Sequence, residues 1–282
     1  MKDINIVIVG LGVIGGSFAY GLRDAGYKNV FGIDINEKSI EKAIELGIIK
    51  NGDTKGNALL READLVIISL YPDIVKTFVE NNIGNFKKGC VITDATGVKQ
   101  NIVSEITSFL PSDIDFIFCH PMAGREKKGI EYATNTVFSG ANFLITPIES
   151  NKEENIKLIE KIALDIGFKN IKRISVPLHD EMISFTSQLP HAIAVALINS
   201  DNHNEDTKSF IGDSYRDLTR IANINETLWS QLFLQNKENL LSSMENFEKQ
   251  FDLIKKAIKE DNVEDLKKYF ISSSKRRELL EK

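Results

Sequence analysis

Glycines at the right spacing can do chemistry that no side chain can, because they let backbone N–H groups reach a phosphate. Gly10-Leu11-Gly12-Val13-Ile14-Gly15 follows the apolar run 4–9 and leads into Phe18, Leu22 and Ala25 at helical spacing. That strand–turn–helix context is the one a dinucleotide fingerprint requires. Gly10 permits the tight turn, Gly12 lets the backbone approach a pyrophosphate, and Gly15 lets helix and strand pack closely. Leu11, Val13 and Ile14 complete the cofactor-side turn, and the helix N-terminus adds N–H donors and partial positive charge. Asp34 ends the next strand, at about the spacing where a carboxylate accepts hydrogen bonds from ribose hydroxyls. No arginine follows it to take a 2′-phosphate, which selects NAD over NADP. Ser69, Leu70 and the segment Asp94 to Gly97 close later strands, at the edge where open α/β sheets hold ligands.

Proton transfer needs a group that titrates near working pH, and four histidines are available. His203 lies in a polar turn. His179, at a junction beside Asp180, reads first as a structural hydrogen bond or cap. His120 closes the run 116–119, is fixed by Pro121 and is opened by Gly124, which places an imidazole at the ligand edge as a base for a hydroxyl proton. His191 lies four residues after Ser187, where the two can share a helix face despite Pro190; a buried helix histidine is the other reading. Arg216 and Arg220 are also four apart. Each can recognise a carboxylate bidentately or form an exposed helix pair with Asp217 or Glu226.

The elements that must position these residues divide in two. Strands are expected at 4–9, 29–33, 65–70, 91–94, 116–119 and 142–146, with helices at 38–46 and 74–82, and a further helix and strand at 153–166 and 170–175. This alternation predicts a mainly parallel sheet covered by helices, and the near-continuous apolar strands predict burial on both faces. After Pro177, Leu228, Leu232, Leu240, Met244, Phe247, Phe251 and Ile254 recur at helical spacing. The expectation is an α/β Rossmann domain over 1–175 and an all-α domain over 176–282. The stretch 255–282 is read as solvated helices with a packed face of Ile258, Val263, Leu266, Phe270 and Leu279.

Composition narrows the function classes. The 282 residues, 42% hydrophobic and 27% charged, suggest a folded chain of about two domains. A net charge of −5 argues against wholesale nucleic-acid binding. No apolar run approaches the roughly 20 residues that cross a bilayer. The N-terminus leads straight into a strand without a signal-like region, so a cytoplasmic location is expected. Cys90 and Cys119 lack CxxC spacing and read as core residues in a reducing compartment. No clustered metal ligands stand out.

Together, the glycine turn, Asp94-Ala95-Thr96-Gly97-Val98-Lys99, His120-Pro121-Met122-Ala123-Gly124-Arg125-Glu126, Ser187-Gln188-Leu189-Pro190-His191 and Arg216-Asp217-Leu218-Thr219-Arg220-Ile221-Ala222 resemble the prephenate dehydrogenase family, in order and spacing, across nearly the whole chain. The resemblance implies a Rossmann domain, a helical dimerisation domain and NAD-dependent oxidative decarboxylation of prephenate to 4-hydroxyphenylpyruvate. It implies that His120 takes the proton of the ring hydroxyl and that Arg220 holds a substrate carboxylate. His191 and Ser187 would line the polar wall of the substrate pocket, and Glu126 would be a gating acid. Trp229 matches an aromatic near the site, reaching across the dimer or serving as an ordinary core or interface aromatic. Arg125, Lys127 and Lys128 would add local positive charge.

Three departures bear on that transfer. Gly97 stands where the family usually has serine, so a hydroxyl contact is lost unless Thr96 supplies it. Gln188 replaces a histidine, and Ile224-Asn225-Glu226 replaces Ser-Asp-Pro. The competing readings are arogenate as substrate, a β-hydroxyacid dehydrogenase, and a catalytically silent NAD-binding regulator. At this length no fused chorismate mutase or regulatory domain is expected, and feedback by tyrosine would act elsewhere.

Overall fold

A computed structural model of the chain describes residues 2–124, 127–202 and 206–280. Eight strands form one sheet: β1 (Ile6–Val9), β2 (Val30–Ile33), β3 (Asn51–Asp53), β4 (Leu65–Ile68), β5 (Val91–Asp94), β6 (Asp115–Pro121), β7 (Asn142–Thr146) and β8 (Asn170–Arg173). Their order is β3-β2-β1-β4-β5-β6-β7-β8. Every neighbouring pair is parallel except β6 and β7. Helices α1 (Val13–Asp24), α2 (Glu37–Glu45), α3 (Asn57–Glu62), α4 (Pro72–Asn82), α5 (Gln100–Thr107) and α6 (Glu153–Asp165) alternate with the strands.

Register explains why the loops converge. Val9 lies level with Ile33 and with Ile68, and Ile68 with Asp94. The residues that follow, Gly10, Asp34, Ser69 and Ala95, therefore share one edge, and β1 and β4 flank the point where the strand order reverses. Open α/β sheets bind ligands at that crevice. Strand β6 runs on to Pro121, carrying His120 past the end of β5.

Strands β1, β4 and β5 are buried along their whole length, as expected of strands covered on both faces. One apolar cluster, with Phe18, Leu22, Ile156 and Ile159, lies on one face, and another, with Val75, Val79, Ile102 and Ile106, on the other. The antiparallel turn at β7 departs from the parallel expectation. Among its described residues, the loop that returns from β6 holds a short 3₁₀ turn, Ile130–Tyr132, and no crossover helix. Strand β3 was not anticipated either, since Asn51-Gly52-Asp53 is a polar edge strand with no apolar pattern to reveal it.

After the sheet come α7 (Val176–Ile183), a π-helical turn (Ser184–Gln188), α8 (Leu189–Asn199), α9 (Asp213–Thr219), a 3₁₀ turn (Arg220–Ala222) and α10 (Glu226–Gln235). Pro190 has no N–H to continue the α-helical ladder from α7 into α8, and the wider turn lies just before it. The chain forms two compact units, one ending at Asn236 and one beginning at Lys237. The second is the helix pair α11 (Lys237–Lys259) and α12 (Val263–Leu279), joined by a turn in which Asp261 has a positive φ of 49°. The packed face expected for the charged tail is not formed within the single chain: α12 buries no residue, and Ile258, Val263, Phe270 and Leu279 are exposed.

Candidate active site

The glycine turn is shaped by what its glycines lack. Gly10 has a φ of +86°, and a Cβ there would sit 2.5 Å from the Ser69 carbonyl oxygen. A Cβ on Gly15 would meet the Gly10 carbonyl oxygen at 1.8 Å, so α1 can start this close to β1 only without a side chain. At Gly12 the situation reverses. A Cβ would meet nothing within 4 Å, so the space beside that backbone is open. Gly12 caps α1 without a side-chain hydrogen bond, and the amides of Gly12, Val13, Ile14 and Gly15 have no partners within the helix. Leu11 is fully buried and packs against Gly32, so its contribution is its backbone.

Asp34 is fixed against this turn. Its Oδ2 accepts from the Leu11 N–H at 2.7 Å and its Oδ1 from the Asn36 N–H at 2.8 Å. Ser69 Oγ, across the crevice, is buried without a hydrogen-bond partner. Leu70 lies against Gly10. An orphaned hydroxyl, an open approach at Gly12 and unpaired amides are what a dinucleotide's phosphates and ribose would satisfy. The residues present fit such a cofactor.

At the end of β5 the side chains turn inward. Lys99 and Asp94 are both fully buried and paired, Nζ to Oδ2 at 2.6 Å. Lys99 Nζ also donates to the Thr96 carbonyl at 3.0 Å and to Thr96 Oγ1 at 2.9 Å, while Asp94 accepts from the backbone N–H of Thr96 and of Cys119, each at 3.0 Å. The Thr96 hydroxyl donates to Asp94, so it is held inside the protein. Asp94 and Thr96 thus brace the edge that carries Gly97 and His120. The hydroxyl that Gly97 lacks is not supplied by Thr96 in this arrangement.

His120 stands beside Gly97, whose missing Cβ would lie 3.8 Å from Nε2 of the imidazole. Its Nδ1 is 3.0 Å from Nε2 of His179, and Nδ1 of His179 is 2.7 Å from Oδ1 of Asp180. Burial holds the His120 pKa well below the ordinary histidine value, with His179 and Lys99 acting in the same direction. Burial also lowers His179, against the opposing pull of Asp180. The ring facing the crevice is therefore neutral near pH 7 and able to take a proton.

Above this edge lies α10. Gln235 and Asp73 join α10 to the start of α4 at 2.6 Å, and Asn225 donates to the Tyr71 hydroxyl at 2.9 Å. Leu232 of α10 then reaches Gly97, where a Cβ would meet it at 3.1 Å. Gln188 is buried, donating to the Leu232 carbonyl and accepting from Asn236, both at 2.8 Å. Its amide thus holds the roof of the site rather than lining it.

Three residues before Leu232, Trp229 stacks on His191 with ring centroids 3.7 Å apart. His191 Nδ1 donates to the Ser187 carbonyl at 2.8 Å. Arg220 lies exposed on the 3₁₀ turn that follows α9. Arg216 is paired on the surface with Asp213 at 2.6 Å, not with Asp217 or Glu226. Glu226 faces Lys128 at 3.5 Å. Glu126, Arg125 and His203 lie outside the described residues.

The structure thus groups Gly97 with His120, and His191 with Trp229, the two groups joined through α10. His179, Asp180 and Lys99 are the members that sequence reasoning missed as parts of the site. An adjacent His-Asp pair and a lysine within an apolar stretch were the available signals, but their partners lie up to 81 residues away.

Comparison with known proteins accords with this geometry. The family model described as prephenate dehydrogenase, nucleotide-binding domain, matches residues 18–172, and the one described as prephenate dehydrogenase, dimerization domain, matches residues 175–272. The chain belongs to the prephenate dehydrogenase family. Prephenate dehydrogenase of Bacillus subtilis is 29% identical over 276 residues, covering 96% of this chain and 74% of that protein. A cyclohexadienyl dehydrogenase of Zymomonas mobilis is 27% identical, covering 97% and 94%. Among solved structures, prephenate dehydrogenase of Aquifex aeolicus in complex with hydroxyphenyl propionate and NAD+ superposes with a TM-score of 0.90 at 32% identity, covering 99% of both chains. As a member of the prephenate dehydrogenase family the chain is an oxidoreductase, and its sheet is the family's nucleotide-binding domain. Among the described residues, no helix is long and apolar enough to cross a membrane.

Proposed function

We propose that this chain catalyses the NAD-dependent oxidative decarboxylation of prephenate to 4-hydroxyphenylpyruvate, as a cytoplasmic homodimer. One observation carries the reading: a neutral imidazole, His120, anchored through Nδ1 and standing at the ligand edge of the sheet. A bound nicotinamide dinucleotide supplies the hydride acceptor. The backbone from Gly10 to Gly15 would hold its pyrophosphate, Asp34 its ribose hydroxyls, and Ser69 Oγ would find its missing partner there. A carboxylate at Asp34 repels a 2′-phosphate, which favours NAD over NADP.

His120 Nε2 takes the proton of the ring hydroxyl as hydride leaves the same carbon. The electron pair released with CO2 restores aromaticity in the ring, so no other electron sink is needed. Arg220 holds one of the two substrate carboxylates by charge-assisted hydrogen bonds. His191 and Ser187 form the polar wall, with Trp229 stacked behind His191, and Glu126 acts as the gating acid. Gly97 puts no side chain between Leu232 and His120 Nε2.

The dimer reading is supported by the exposed Phe251, Ile258, Phe270 and Leu279 on α11 and α12, an apolar surface that a partner would cover. The same reading takes 1–175 as the nucleotide-binding domain and 176–282 as the helical domain. Light scattering at twice the chain mass is the expected result. Two buried free thiols, Cys90 and Cys119, suit a reducing compartment.

Arogenate is the second reading, favoured by the likeness to a cyclohexadienyl dehydrogenase. The deciding assay offers prephenate and arogenate, each with NAD and with NADP, and follows absorbance of the reduced nicotinamide. The highest kcat/KM is expected for prephenate with NAD. Reduction of neither cofactor with either compound would overturn the assignment.

A further inference from the structure

The mechanism above uses His120 but leaves open what decides which of its nitrogens carries the proton. Buried donors and acceptors answer this. Asp180 lies on α7, yet its carboxylate caps the start of α5: Oδ1 accepts from the Lys99 N–H and Oδ2 from the Gln100 N–H, both at 2.8 Å. Backbone N–H groups only donate, so both oxygens act as acceptors there. The third contact, from His179 Nδ1 to Oδ1 at 2.7 Å, is then a donation by the histidine. A neutral His179 that donates through Nδ1 must accept through Nε2. Its neighbour on that side is Nδ1 of His120 at 3.0 Å, which must therefore be the donor. The lone pair of His120 is left on Nε2, the nitrogen that faces Gly97.

We propose that His179 and Asp180 are positioning residues for the proton transfer: through two hydrogen bonds in series they fix the tautomer of His120 so that Nε2 is the base. This rests on the assignment of His120 as the base. The same chain can disperse the charge once the base is used. As the substrate O–H breaks and His120 Nε2–H forms, the Nδ1 proton of His120 moves toward or onto His179 Nε2, and the positive charge spreads toward Asp180. No atom is gained or lost beyond the substrate proton. The other buried charges near this chain are Lys99 and Asp94, paired with each other at 2.6 Å. Asn236 donates to the Asp180 carbonyl at 2.8 Å and holds this end of α7 in place.

Asp180→Asn tests the direction of the chain. With its NH₂ in the place of Oδ1, the amide keeps one of the two α5 contacts, its oxygen accepting from the Gln100 N–H, gives up the bond from the Lys99 N–H, and donates to His179 Nδ1, which reverses both tautomers and puts the proton on His120 Nε2. The expected outcome is a fall in kcat of roughly 10²–10⁴-fold with KM for prephenate unchanged, the scale of losing a correctly presented base. His179→Gln keeps an acceptor for His120 Nδ1 and should retain more activity than His179→Leu, which keeps none. A readout independent of turnover is the ¹⁵N NMR signal of His120 in the protein without added ligands. Nε2 should be unprotonated in the parent protein and protonated in Asp180→Asn. A protonated Nε2 in the parent, or parental kcat in both Asp180→Asn and His179→Leu, would overturn the proposal. If those two variants are fully active while His120→Asn is slow, this proposal fails alone. If His120→Asn is itself fully active, the assignment of the base fails with it.

Discussion

The glycine turn and the His120 pocket lie along one sheet edge and work by opposite means. At the turn, function resides in backbone and in space, with Gly12 open to at least 4 Å and Gly15 pressed to 1.8 Å of a carbonyl oxygen by its hypothetical Cβ. At the pocket it resides in buried polar side chains drawn from β5, the segment between β5 and α5, β6 and α7. One region is selected by what is missing and the other by what must be paired. Their failures should differ accordingly: a methyl group should break the turn in one place and only its ligand affinity in another, while the pocket should be sensitive to loss of a partner.

The largest stability effect is expected at Lys99. With both side chains fully buried, Lys99→Met leaves Asp94 without its cation and should cost about 3–5 kcal/mol. Denaturant unfolding measures it, and a loss under about 1 kcal/mol would mean that the pair does not brace this edge. Next comes Gly15→Ala, whose methyl meets backbone rather than a flexible side chain. Overpacking there should cost roughly 1–3 kcal/mol or more, read as a drop in Tm; an unchanged Tm would show that α1 can retreat.

Acid should separate the two regions more gently. Burial lowers the folded pKa of both His120 and His179 below the unfolded value near 6.5. The unfolded chain then binds protons that the folded chain refuses. Their contribution is fully present above about pH 6.5 and is lost as pH falls through the folded values. Tm should decline on that acid side, and the decline should shrink in His179→Gln. The acid limb of kcat/KM should likewise fall below pH 6.5, since the base stays unprotonated further into acid. A limb above neutrality would contradict a depressed His120. The smallest stability effect belongs to Gly12→Ala, with open space and an ordinary φ of −78°. It should cost about 1 kcal/mol or less as a cap change while raising KM for NAD. An unchanged KM would remove Gly12 from the cofactor path.

The same contrast explains what could be read from the sequence. The turn is local: strand, glycines, helix and the acid at Asp34 follow one another along the chain, so spacing exposes them. His120 was legible as a strand-ending histidine before a proline. Its partners were not, because His179 lies 59 residues on and Asp180 meets Lys99 across 81. Gln188 was legible only as a departure from the family motif, and its place in the roof follows from the packing of α10. Polar β3 escaped because periodicity reports apolar faces only. The apolar residues of α12 were visible, but a single chain does not bury them.

The central claim is that a neutral His120 takes the substrate's hydroxyl proton. Its most direct test is kcat for His120→Asn at saturating prephenate and NAD, measured beside KM. The account predicts a roughly 10²–10⁴-fold fall in kcat with substrate binding largely retained. A kcat equal to that of the parent protein would contradict it.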